Sequence, residues 1–239
     1  MNLNAMLYAL GAILLGAIGL YFQDFAMNWQ PVPAGIGART LLSNLSGALL
    51  IIGGAAILSG RGQRGGALLL AVFYGIWAVL LHGPIALADP GALYKWNGVA
   101  ESAFLTAGGI ALFGSSTNLR GTLTTVARLI AGLCALSFGS THLVYARQTA
   151  DFVPAWIPPS QMFWACLTGV AYIAAGLALV SRIQARLAAT LTAAMMASFV
   201  VLLHAPRVFA QPDSHFEWCM IAVASSLTGA SLLIRKYTT

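Results

Sequence analysis

The sequence LLHGP at residues 80–84 returns as LLHAP at residues 202–206, 122 positions later. Chance matches between apolar segments would give Leu and Ala coincidences, but hardly His, Pro and Trp in one register. A fixed period is the mark of a repeat architecture, so we expect two tandem modules at residues 1–120 and 121–239. Further pairs at the same spacing, without a gap, are Gly47 and Gly169, Gly54 and Gly176, Arg64 and Arg186, Trp96 and Trp218, and Thr106 and Thr228.

The composition predicts that both modules are embedded in a lipid bilayer. Apolar residues make up 59% of the 239 positions, charged residues only 8%, and the mean hydropathy is +0.82, whereas soluble proteins carry about 25% charged residues. A spanning helix needs roughly 20 apolar residues, and the apolar runs divide the chain into eight such segments. They lie at about residues 4–22, 40–58, 66–84, 98–114, 124–145, 161–180, 186–205 and 218–234.

The expected fold is therefore an all-α membrane protein with eight transmembrane helices in two four-helix bundles. Since each module has an even number of helices, both insert in the same direction, and a pseudo-two-fold axis along the membrane normal should relate them. The first run is long and has no basic segment before it, so we expect a membrane helix rather than a removed signal peptide. The net charge of +6 comes from single Arg and Lys residues between apolar segments, which argues against nucleic-acid binding.

The basic residues predict that both termini lie in the cytoplasm, because loops on that side carry the excess of Lys and Arg. With the first helix starting inside, eight basic residues fall inside and four outside. The six acids and four histidines then lie on or near the outer face, where we expect any ionisable chemistry. The outer basic residues are Arg39, Lys95, Arg147 and Arg207.

The segment FVPAWIPPSQMFWACLTGVAYIAAGLALV at residues 152–180 resembles the hallmark of DoxX-like membrane proteins, an entry loop with Pro-Trp-Pro followed by a helix with a Thr-Gly pattern. The first module keeps a weaker echo of it. The residues that carry the resemblance are Pro154, Trp156, Pro158, Thr168, Gly169 and Gly176, with Pro31, Pro33, Ser46, Gly47 and Gly54 in the first module.

The resemblance covers nearly the whole chain as two four-helix units. Some relatives of that family resemble the membrane subunit of thiosulfate:quinone oxidoreductase. The resemblance thus implies a bacterial inner-membrane protein in a redox context, with a protein partner in a membrane or periplasmic complex. Its motifs are structural and transfer no catalytic residue.

His82 and His204 are the matched histidines of the repeat, each two residues before a proline that we expect to stop or kink the helix. They could hydrogen-bond a quinone head group, or ligate a haem iron or a metal across the axis. The alternative is that each satisfies carbonyls at the end of its own helix. We expect neither haem nor metal, because haem ligands in bundles usually sit deeper than a helix end. The lone cysteines Cys134, Cys166 and Cys219 lack metal-site spacing.

Glu101 is the acid that the apolar pattern places within a span, and Val223 stands at its position in the second module. Ionisable groups in lipid usually mark a pathway or a ligand site. Glu101 is therefore the candidate general base beside a quinol hydroxyl, and His142 could join that site. The alternatives are that Glu101 pairs with Lys95 or Arg39, and that His142 faces head groups.

Tryptophans and tyrosines gather at the outer side, as in the aromatic belts of membrane proteins. Some of them, Trp96 and Trp218 among the candidates, could instead line a cleft for a ring-shaped ligand. Arg147 and Arg207 could capture an anion such as a sulfur oxyanion, or could pair with Asp151 and Asp213. The aromatic residues of the outer side are Trp29, Trp96, Trp156, Trp164, Trp218, Tyr94 and Tyr145.

Three functions follow from these features. The first is a redox-associated subunit that binds quinone near the outer face and accepts electrons from a partner protein. The second is a non-catalytic accessory subunit of a larger membrane complex, which the nearly loopless architecture also fits. The third is a small-solute transporter, which repeat symmetry favours but almost wholly apolar mid-span positions disfavour.

Overall fold

The computed structural model describes residues 3–238, and this part of the chain is helical without a strand. We number the long helices α1 to α8, each joined to the next by a short connection. Their bounds are α1 Leu3–Phe22, α2 Arg39–Leu58, α3 Gln63–Leu87, α4 Leu93–Gly114, α5 Arg120–Val144, α6 Gln161–Ser181, α7 Ala185–Ala210 and α8 His215–Tyr237.

Seven of these helices are long and apolar enough to cross a membrane, which indicates a multi-pass membrane protein. The exception is α4, whose N-terminal half carries Lys95, Asn97 and Glu101 and is correspondingly less apolar. Its inner half is apolar, and Phe104, Leu105 and Leu112 are buried. The long apolar helices are compatible with a lipid bilayer as solvent.

Helix boundaries recur at the spacing of the sequence repeat. Helices α2, α3 and α4 begin at residues 39, 63 and 93, and α6, α7 and α8 begin at residues 161, 185 and 215, each 122 positions later. The connections after α1 and α5 are also alike, because each contains a short helical segment. These segments are a 3₁₀ turn at Met27–Trp29 and a short helix at Ala146–Ala150.

Helices α3 and α7 continue past Pro84 and Pro206, where the sequence predicts that proline stops or kinks the helix. The predicted ends at residues 84 and 205 are therefore too early. A π-helical turn precedes each proline, at Trp77–His82 and Val200–His204. There the Gly83 N–H donates to the carbonyl of Ala78, five residues back. Proline clashes with the carbonyl four residues back in an α-helix, and the wider π turn shifts that register.

The helices pack in a closed ring in which each is a neighbour of the next, and α8 returns to α1. Helices α4 and α8 also pack against each other across the centre of the ring. As a result, α1 lies along α8 and α5 along α4, so the first helix of each half packs on the last helix of the other half. Helix α8 is the most enclosed of the seven apolar helices, with 67% of its apolar segment buried against 33–50% for the others.

Glycines lie where two helices approach each other most closely. A Cβ at Gly229 of α8 would lie 2.1 Å from the backbone nitrogen of Tyr8 in α1, and one at Gly11 would lie 2.2 Å from Ser226 Oγ. Gly16 and Gly47 form the equivalent close contact between α1 and α2. The absence of a side chain at these glycines is what allows the helices to approach so closely.

Candidate functional site

One cavity of about 140 Å³ lies among helices α4 to α8 and joins side chains that are far apart in the sequence. Three of the predicted site residues, Glu101, His142 and His204, line it together. The rest of the wall is mostly aromatic and thioether side chains. These are Trp29, Phe138, Tyr172 and Phe199, with Met196 and Met220.

The Glu101 carboxylate is held by two donors. Trp29 Nε1 donates to Oε2 at 2.5 Å, and Asn97 Nδ2 donates to Oε1 at 3.0 Å. Trp29 itself is buried, and its ring stacks on Phe216 at 5.8 Å between centroids. The carboxylate is therefore fixed from two sides while it lines the cavity.

The alternative that Glu101 pairs with a surface cation does not match these partners. Lys95 binds Asp89 at 3.0 Å, and Arg39 binds Asp24 at 2.7 Å. Both cations lie near the first residues of their helices, where nearby exposed acids are easier to reach than a carboxylate about two turns into α4. Glu101 is bound instead by the amide and indole donors described above.

His142 reaches the cavity from α5, and its orientation is fixed by α6. Its Nδ1 lies 3.0 Å from Thr168 Oγ1, and its ring contacts the edge of Tyr172 at 5.3 Å between centroids. Thr168 belongs to the Thr-Gly pair of the family resemblance. That pair has a second effect, because Gly169 lets α5 approach and a Cβ there would lie 3.0 Å from the Cβ of His142.

His204 and His82 occupy equivalent positions but have different surroundings. His204 is 7% exposed, lines the cavity, and its Nδ1 has no hydrogen-bond partner within the described residues. His82 does not line the cavity. Its Nε2 lies 3.1 Å from the carbonyl of Trp29, so it contacts the backbone of another segment rather than the end of its own helix.

The difference between the two histidines traces to the helix that faces them. The His82 ring lies against Gly98 of α4, where a Cβ would come within 2.2 Å of its Nδ1. The equivalent residue of α8 is Met220, which lines the cavity. Because that position now carries a side chain, an imidazole at residue 204 cannot take the place that His82 takes.

Trp96 and Trp218 lie outside the cavity and have matching structural contacts. Each donates its Nε1 to a proline carbonyl six residues earlier, Pro90 at 3.1 Å and Pro212 at 2.7 Å. These bonds fix the turns that lead into α4 and α8. The indole that does line the cavity is Trp29, which the sequence placed only among the residues of the outer aromatic belt.

Arg147 and Arg207 do not line the cavity. Arg207 lies over the ring of Phe152 at 4.9 Å and within 3.8 Å of Glu217, a different acid from the predicted Asp213. It borders a separate outer groove of about 400 Å³ with Asp151 and Trp156. Arg147 is exposed on the short helix after α5.

No group of three His, Cys, Asp or Glu side chains that could hold a metal ion occurs among the described residues. The three cysteines are free thiols, with Cys134 and Cys219 buried. The polar side chains that line the cavity carry one carboxyl group, two imidazoles, one phenol, one amide and one indole, a set that suits hydrogen bonding to an organic ligand.

Sequence reasoning did not identify several residues of the site, including Asn97, Tyr172 and Met220. Asn97 could have been found, because it precedes Glu101 by four residues on one helix face, the spacing at which side chains meet. Tyr172 follows Thr168 by the same spacing in α6. Met220 differs from its repeat partner Gly98, and such a difference within a matched region is itself a signal.

Comparison with known proteins gives one match. A family described as a domain of unknown function, DUF8561, matches residues 130–215. The matched region runs from α5 to the start of α8 and contains His142, Tyr172 and His204. No curated protein and no solved structure matches the chain.

Proposed function

We propose that the chain binds the head group of a quinone in the cavity lined by Glu101, His142 and His204, and serves as a redox-associated membrane subunit. The convergence of these three side chains in one ring-sized space is the observation that carries the proposal. A cavity of about 150 Å³ holds a benzene molecule, so about 140 Å³ suits a single six-membered ring. Aromatic and thioether walls with a few polar groups are typical of cofactor sites.

The proposed reaction is the two-electron reduction of the quinone to a quinol, with uptake of two protons. The electrons come from a cofactor of a partner protein, because quinone is the only redox group that this proposal assigns to the chain. Glu101 and the two histidines would bind the ring oxygens and exchange protons with them.

The proposed setting is a bacterial inner membrane, in accord with the resemblance to DoxX-like proteins. All eight helices span in this proposal, α4 included, and two four-helix modules at residues 1–120 and 121–239 are related by a pseudo-two-fold axis along the membrane normal. The helix starts that recur after 122 residues and the symmetric ring of contacts support it. The basic residues favour both termini in the cytoplasm and the cavity near the outer face.

The test is a titration of the detergent-purified protein with a short-chain quinone, followed by quenching of tryptophan fluorescence, since Trp29 lines the cavity. We expect saturable quenching. His204→Ala should weaken binding roughly 5- to 150-fold, the effect of losing one hydrogen bond worth about 1–3 kcal/mol.

His215→Ala is the matched control, because His215 is also near the outer end of the bundle but stacks on Phe22 outside the cavity. It should bind as the unaltered protein does. Absence of saturable quenching, with no quinone in solvent extracts of the purified protein, would overturn the proposal. A partner that then co-purifies in fixed ratio would favour the accessory-subunit function.

A further inference from the structure

The hydrogen-bonding character of the cavity is set first by Glu101. An indole N–H can only donate, so the 2.5 Å contact from Trp29 makes Oε2 an acceptor, and the Asn97 amide donates to Oε1. Each carboxylate oxygen has a second lone pair, so Glu101 presents acceptors to a ligand.

His142 presents an acceptor as well, because of its partner. The Thr168 hydroxyl has one proton, and it donates that proton to the carbonyl of Trp164 at 2.8 Å. Its oxygen can then only accept from His142 Nδ1, 3.0 Å away. In a neutral imidazole with Nδ1 protonated, Nε2 is an acceptor, and Nε2 is the ring nitrogen left for a ligand.

We infer that the cavity prefers its ring in the reduced, dihydroxy form, a quinol rather than a quinone; the inference rests on the proposed function. A quinone oxygen has only lone pairs and would face the lone pairs of Glu101 and His142. A quinol hydroxyl donates to such acceptors, and its own oxygen can accept from the Tyr172 hydroxyl. Unmet buried acceptors cost free energy, so the oxidised ring binds more weakly.

This preference makes the bound ring a stronger oxidant than the free ring. When the reduced form of a two-electron couple binds tenfold more tightly, the midpoint potential rises by about 30 mV. A quinone in this cavity therefore draws electrons from the partner's cofactor more strongly than a quinone in the bilayer does. The site favours electron uptake by the ring through hydrogen bonding alone.

The experiment compares the two forms of one short-chain quinone, titrated without oxygen into the intact protein. We expect the quinol to bind at least tenfold more tightly than the quinone. The dimethyl ether of the same quinol has no O–H donor and should bind no more tightly than the quinone.

Glu101→Gln should reduce the preference several-fold, because an amide can turn a donor toward the ligand. Glu217→Gln is the matched control, since Glu217 is a buried glutamate at the outer end of α8 that does not line the cavity. Equal affinity for both forms, or tighter binding of the quinone, would overturn this inference and leave the proposed function standing. Binding of neither form would overturn the proposed function itself.

Discussion

At the scale of single residues, His82 and His204 share one position of the repeat and yet have different environments. Gly98 leaves room for the His82 ring against α4, whereas Met220 fills the corresponding place on α8. His204 thus lines the cavity, and its Nδ1 is unpaired among residues 3–238. A change of one side chain on a facing helix separates a histidine that joins two segments from a histidine available to a ligand.

Replacing Met220 by glycine should therefore remove His204 from the site without altering His204. We expect the imidazole to move against α8, as His82 does against Gly98, and quinol affinity to fall about tenfold, equivalent to about 1.4 kcal/mol. The same fluorescence titration measures the change.

Met220→Ala is the control for that prediction. A Cβ alone would lie within 2.2 Å of the imidazole at the equivalent place on α4, so alanine still excludes His204 from α8. The alanine variant should bind the quinol several-fold more tightly than the glycine variant does. If the glycine and alanine variants bind alike, the explanation through the facing helix is wrong.

At the scale of elements, the crossing of α1 and α8 depends on the absence of side chains. The backbone of Tyr8 occupies the place that a Cβ of Gly229 would need, and the buried Tyr8 hydroxyl donates to the carbonyl of Leu105 in α4 at 2.9 Å. Three helices are thus tied together near Tyr8. Packing and hydrogen bonds of this kind hold helices together in lipid.

Gly229→Ala should lower the free energy of unfolding by about 1–3 kcal/mol, because backbone atoms of α1 must move to admit the methyl group. Thermal unfolding in detergent measures the effect. Gly65→Ala in α3 is the matched control, since no atom of the part of the chain that the structure describes lies within 4 Å of a Cβ there. That change should leave stability equal or raise it by up to about 1 kcal/mol. Equal destabilisation by both changes would show that the crossing is not tightly packed.

At the scale of the whole molecule, the ring of helices couples the two halves. Each half supplies its last helix to the first helix of the other, and α4 and α8 meet at the centre. The cavity reflects this arrangement, because Glu101 reaches from α4 into a space otherwise formed mainly by α5 to α8. A module expressed alone would lack part of the site.

The proposed orientation predicts the behaviour of fused reporters in a bacterial host. A fluorescent protein at the C-terminus should fluoresce, and alkaline phosphatase there should be inactive, because the proposed orientation places that end in the cytoplasm. Alkaline phosphatase inserted near Trp156, in the exposed connection before α6, should be active. The reverse pattern would contradict the orientation and place the cavity toward the cytoplasm.

The sequence by itself determined the helices, because apolar runs of about 20 residues have few alternatives in lipid. The residue types of the site could also be predicted, since Glu101, His142 and His204 stand out as polar groups in apolar surroundings. The exceptions are instructive. Proline suggested early ends for α3 and α7, because the sequence does not show that a π turn can absorb it. The sequence placed Trp29 in the aromatic belt, because the burial of its side chain depends on contacts of its loop that the sequence does not show.

Only the tertiary structure decided which of these residues meet. Helices of similar hydrophobicity can pack in many orders, and their order depends on close contacts such as Gly229 with Tyr8, which involve residues distant in the chain. For the same reason the repeat suggested that His82 and His204 are equivalent, whereas the structure separates them. A side chain's hydrogen-bonding role follows from the atoms that surround it, and those atoms come from helices that the local sequence does not specify.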